Sequence, residues 1–182
     1  LNWQIINNEK YYTISVVQLK EEIDAGLIYS EKKIKLKIND NIKSVHEKTN
    51  LEFPKLLYSV LMNINKKNLI PKKQNKLKAI YWHQRSELDG YIDFNKKTSS
   101  EVHNFVRALS HPYDGAWGLT TEFEKVRIFK TKIQKYKIKG NPGHTLHLKN
   151  KGINVICKDR AIRILSYRRK NKINSLKNIM FI

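Results

Sequence analysis

The chain has 182 residues with 36 Lys and Arg against 16 Asp and Glu, a formal charge of +20, and 40% apolar residues. That is enough apolar material for one ordinary domain, or a small domain with part of another, and it excludes a disordered tail. The longest oily runs, 56–62 and 162–165, are too short to span a bilayer as a helix, and the single Cys157 excludes an internal disulfide or a Cys-rich zinc site, so a reducing cytoplasm is the simpler compartment. No signal-peptide pattern follows Leu1, and position 1 reads as a cut in a longer polypeptide.

In chain order, residues 12–19 are rich in Thr, Ile and Val and alternate as a strand does. A polar loop over 20–26 follows, then two extended segments at 27–29 and 34–38. Asp40 is a good N-cap for an amphipathic helical region reaching about Asn65, with Pro54 predicting a restart within it. These first 65 residues hold too few strands to close a core and read as the end of an α/β domain. Residues 66–78, Lys-rich and carrying Pro71, read as a linker.

Beyond it, 79–82 and 91–94 read as short strands around the Asp89-Gly90 turn. Thr98 with Glu101 forms a capping-box pattern that starts a helix over 99–109, with Val102, Phe105, Val106 and Leu109 on one face. Short alternating runs at 126–129, 133–138, 145–148, 153–157 and 162–167 then predict a small β-barrel or sandwich over 79–182.

Asp24 lies in a post-strand loop two residues before Gly26, where a carboxylate could orient an imidazole or accept a proton; an Asp-x-Gly surface turn fits the same spacing. His83 with Gln84 and Arg85, in an aromatic setting with Tyr81 and Trp82, could contact a phosphate or sugar, Arg being the better anion fork, or Arg85 could simply pair with Glu87 or Asp89. His144 and His147 fall in a predicted strand on opposite faces, which argues against a metal site. The excess of Lys travels with abundant Asn and Ile, residues that share AT-rich codons, so base composition accounts for more of the charge than a phosphate-binding surface does; the local cluster at 167–172 is the exception.

The order of segments resembles the N10-formyltetrahydrofolate-dependent formyltransferase family over nearly the whole chain. Leu1-Asn2-Trp3-Gln4-Ile5-Ile6-Asn7 is similar to its Trp-containing helix, and Asp24-Ala25-Gly26-Leu27-Ile28 to its D-x-G-x-I loop. The stretches 86–94, 102–109 and 112–116 are similar to its P-E-D-G-x-I-D-W, N-x-I-R-A-L and P-Y-P-G-A patterns, and 142–143 and 153–157 to its late strands. Thr13 stands where the family usually has Gly, and Asp114 where it often has Pro.

The resemblance implies an α/β fold plus a small β-barrel: residues 1–65 as the C-terminal portion of a Rossmann-like catalytic domain, 66–78 as linker and 79–182 as an open OB-like barrel. It implies Asp24 as a catalytic residue, with the partner Asn and His upstream of this chain, so that these residues alone would be inactive. Lys20, Glu21, Glu22, Ile23 and Asp24 would contact the co-substrate N10-formyltetrahydrofolate, and Trp82 and Arg85 the acceptor; no metal is implied. The acceptor reads as a nucleotide-linked amino sugar, with initiator methionyl-tRNA as the alternative, a homodimer left open and no membrane association. A noncatalytic basic module that binds nucleic acid is the reading from another class.

Overall fold

A computed structural model describes residues 1–64, 69–149, 152–169, 176 and 179–182. They form two compact units, one comprising Leu1–Glu9, Asp40–Lys43 and Arg85–Ile182, the other Lys10–Asn39 and Ser44–Gln84. Part of the expected linker (66–68) and of the basic cluster (170–172) lies outside the described residues.

The unit of residues 10–39 and 44–84 is built on a hairpin. Strand β1 (Tyr11–Val17) turns Tyr12, Ile14 and Val16 inward and pairs antiparallel with β2 (Ile28–Lys35), Tyr12 facing Ile34 and Val16 facing Ser30. Most of the two extended segments expected at 27–29 and 34–38 is therefore one strand ending at Lys35, because the exposed residues between them, Glu31, Lys32 and Lys33, pair with Ser15, Ile14 and Thr13 in a continuous ladder. Helix α2 (Ile42–Ile64) runs through Pro54 without the expected restart. Proline removes one helical N–H and crowds the carbonyl four residues back. Here buried Val45 and Val60 anchor the helix on both sides of it. The Tyr12 hydroxyl and the Thr49 hydroxyl both donate to the Val45 carbonyl, at 3.4 and 2.9 Å.

The other unit sets helix α3 (Ser99–Leu109) on a five-stranded sheet. The capping box forms as expected: the Glu101 amide donates to Thr98 Oγ1 at 3.3 Å, and the Thr98 amide donates to the Glu101 carboxylate at 2.7 Å. Strands β3 (Ala116–Leu119), β4 (Lys125–Ile133), β5 (Thr145–Leu148), β6 (Gly152–Ile156) and β7 (Ala161–Arg168) pair antiparallel in the order β3-β4-β7-β6-β5. Val102, Val106 and Leu109 of α3 meet Val126, Ile128, Val155 and Ile162 of the sheet in one core. The short helix α1 (Asn2–Ile6) is tied to α3 by the Asn2 amide, which donates to the Ala108 carbonyl at 2.7 Å.

Three expected strands are absent. Residues 79–82 have no regular structure, and 91–94 make a single bridge, Tyr91 to Trp117. This stretch is held instead by burial of Ile92 and Phe94 and by the Ile92 amide on the Trp117 carbonyl. The run at 133–138 contributes only Ile133, because buried Gln134 leaves the ladder to donate to Asn154 Oδ1 at 3.1 Å. The C-terminal residues join both ends of the sheet: the Ile182 and Thr121 amides exchange bonds with Leu119 and Met180, while the Phe181 and Thr145 amides bond Gly143 and Ile179.

Candidate functional site

The loop that carries Asp24 is defined by backbone geometry. It opens and closes with the Gln18 amide on the Leu27 carbonyl at 2.8 Å. Gly26 lies so close to the opposite side that an added Cβ would stand 1.8 Å from the Gln18 carbonyl oxygen, so only glycine fits. Asp24 itself has φ +57°, a left-handed conformation that Asp and Asn tolerate better than other side-chain-bearing residues.

A residue fifty positions later completes the loop. The Gln74 side-chain amide donates to the Asp24 carbonyl at 2.5 Å and to the Gly26 carbonyl at 2.8 Å, and a reciprocal pair of backbone bonds between Ile28 and Lys72 holds that segment alongside. Lys20, Glu21, Glu22, Ile23 and Asp24 are all exposed, with Leu19 94% and Ile23 87% exposed. The loop thus offers a carboxylate and backbone groups between two bare apolar side chains. Trp82 lies in the same unit, about half exposed.

Arg85 belongs to the other unit and lines a cleft of about 290 Å³ with Ser86, Glu87, Leu109, Tyr113 and Arg127 among its walls. Neither ion pair expected for Arg85 forms. Glu87 is taken by Lys125 at 2.9 Å and Arg127 at 2.5 Å, whose hydrogen bonds hold its carboxyl below the ordinary range. Asp89 accepts from the Ser86 amide at 2.6 Å and the Ser86 hydroxyl at 3.1 Å. Arg85 instead lies over the Tyr113 ring, 5.2 Å from its centroid. Sequence reasoning missed Gln74, which no local pattern marks, and Arg127, whose role appears only when the sheet brings it to Glu87.

Arg107, also on the expected motif, is buried and structural: its Nε donates to Asn104 Oδ1 at 3.0 Å and its Nη1 to the Asp40 carbonyl at 2.7 Å. Among the described residues no group of three His, Cys, Asp or Glu is gathered as a metal set, and no helix is long and apolar enough to cross a membrane.

The order of these elements, a hairpin with an Asp-x-Gly loop followed by a helix-covered antiparallel sheet, defines a class. The family model for the formyl transferase C-terminal domain matches residues 85–180, and the chain belongs to that family. The bifunctional polymyxin resistance protein ArnA of Wigglesworthia glossinidia brevipalpis is 32% identical over 176 residues, which cover 91% of this chain and 25% of that relative. The chain therefore spans about a quarter of the length of this curated relative.

Among solved structures, HypX from Aquifex aeolicus in complex with tetrahydrofolic acid superposes with a TM-score of 0.70 at 20% identity, covering 94% of this chain and 29% of HypX. An N-formyltransferase from Helicobacter canadensis, solved with folinic acid and dTDP-3-aminofucose, gives a TM-score of 0.57 at 22% identity over 91% of this chain and 59% of its own. At these identities the likeness is one of fold.

Proposed function

We propose that the polypeptide containing this chain transfers a formyl group from N10-formyltetrahydrofolate to the primary amine of a nucleotide-linked amino sugar. The observation that carries the reading is the 32% identity to the polymyxin resistance protein, which runs through both the Asp24 loop and the matched domain. In this reading residues 1–65 close a Rossmann-like catalytic domain, 66–78 link it onward and 79–182 form an open OB-like barrel.

The loop suits the co-substrate. Bare Leu19 and Ile23 offer apolar walls to a flat pterin, and the exposed backbone of 20–24 offers polar groups to its edge. The amine nitrogen attacks the formyl carbon, the bond from that carbon to the folate nitrogen breaks, and the amine proton passes to the departing nitrogen. An Asn and a His from outside these 182 residues stabilise the tetrahedral oxyanion, and Asp24 holds that His in the required tautomer and supports its cation. Of the residues the resemblance assigns to substrate, Trp82 belongs to the hairpin unit and Arg85 to the sheet unit.

In the full-length polypeptide, Asp24→Asn is expected to lower turnover roughly 10²- to 10⁴-fold with folding intact. Incubation with formyl donor and a UDP- or dTDP-linked amino sugar reads this out; near-normal rates in the variant would remove Asp24 from the mechanism. The charge of +20 keeps initiator methionyl-tRNA as the alternative acceptor, and formylation of that tRNA alone would reassign the substrate. Steeply salt-dependent binding to unrelated RNA without any formyl transfer would select the noncatalytic nucleic-acid module instead.

A further inference from the structure

We propose that the cleft beside Arg85 is a subsite for anionic oxygens, in which Arg85, seated over the Tyr113 ring, grips a phosphate or carboxylate of a bound substrate. Three observations carry it. First, the Arg85 guanidinium carbon lies over the Tyr113 ring, 5.2 Å from its centroid, so an aromatic face already holds the cation at the cleft. Second, among the described residues no carboxylate pairs with Arg85, while the two acids nearest in sequence are committed elsewhere, Glu87 to Lys125 and Arg127 and Asp89 to Ser86. Third, the cleft has a volume of about 290 Å³ and is walled by Leu109 and Tyr113 as well as by charge.

A half-buried guanidinium with no carboxylate partner among the described residues is an unfinished interaction. The arrangement around it is asymmetric in a way that fits an anion. Arg127 is engaged with Glu87 and, at 3.2 Å, donates to the Asp114 carbonyl, so together with Lys125 it balances the Glu87 charge at the cleft wall. Arg85 is left to act outward. A guanidinium already seated over an aromatic ring loses less freedom when it binds than a free one, and its planar set of donors suits two-point recognition of a carboxylate or a phosphate edge.

The identity of the ligand rests on the formyl-transfer reading, which supplies two anionic sources: the phosphates of a nucleotide-linked sugar and the glutamyl carboxylates of the folate. Calorimetric titration of the full-length polypeptide with uridine and thymidine 5′-diphosphate in one arm and folinic acid in the other separates them. Arg85→Gln is expected to weaken one arm about 10- to 100-fold and leave the other unchanged. Arg85→Lys should recover only part of that loss, because an ammonium neither stacks nor forks, and Tyr113→Leu should weaken the same arm several-fold.

Unchanged affinity in both arms for a folded Arg85→Gln protein, or a full rescue by Lys, overturns the subsite. The binding readout needs no turnover. Arg85-dependent binding without formyl transfer would leave the subsite standing and sink the proposed activity, whereas transfer with Arg85-indifferent binding would do the reverse.

Discussion

His103 is the residue whose surroundings most clearly link protonation to stability. It sits half-buried between α3 and β4, with Nδ1 2.9 Å from Thr131 Oγ1. Burial first, and the charge of Arg107 second, hold its pKa below the ordinary 6.5. The folded state therefore resists a proton that the unfolded chain accepts. Above pH 6.5 both states are neutral at this site and its contribution is intact; as pH falls through 6.5 the unfolded chain gains the proton first and stability declines until the folded pKa is passed. Thermal unfolding from about pH 7.5 down to about pH 5.5 should show Tm falling more steeply in the wild type than in His103→Gln. Parallel curves would mean that this imidazole is not the group responsible. Arg107, by contrast, stays charged throughout and spends its donors on Asn104 and the Asp40 carbonyl, so its burial is matched by hydrogen bonds.

Among the elements, α3 is the one whose limits were written most plainly in local residues. Thr98 and Glu101 set its start, and every third or fourth residue after them is apolar and buried. Thr98→Ala should cost about 1 kcal/mol in denaturant unfolding, with little change in the slope, since it removes a cap and no core contact. The other elements show what local pattern leaves out. Residues 79–82 have strand-forming side chains but no neighbour to pair with, and a strand exists only in a ladder. Residues 91–94 and 133–138 depart from the strand their pattern predicts for the opposite reason: Ile92 and Phe94 are core residues in an irregular segment, and Gln134 ends β4 through a contact with Asn154, which no neighbouring residue announces. The Asp24 turn was legible because Gly26 follows it at the right distance. The occupation of Glu87 was not, since Lys125 and Arg127 reach it only through the pairing of β3 with β4.

Over the whole chain, both units depend on contacts that bring distant positions together. In the sheet unit, Phe181 is 1% exposed, packs at 5.0 Å from the Phe94 ring, and sits between Gly118 and Gly143, either of which would clash with it if it carried a Cβ. Phe181→Ala should destabilise this unit by about 3–5 kcal/mol. Hydrogen exchange should then rise at the Thr121 and Thr145 amides together, because the same short segment accepts from both. Exchange that rises at one edge alone would show that the edges are held independently. In the hairpin unit the corresponding dependence falls on a single amide. Gln74 uses its NH2 group on two carbonyl oxygens, those of Asp24 and Gly26. Slow hydrolysis of that side chain to Glu, the ordinary chemistry of ageing amides, would replace the donor with an anion facing two oxygens. Likewise, anyone transplanting the acidic turn into a new scaffold must carry this distant glutamine with it, or the turn arrives without its fastening.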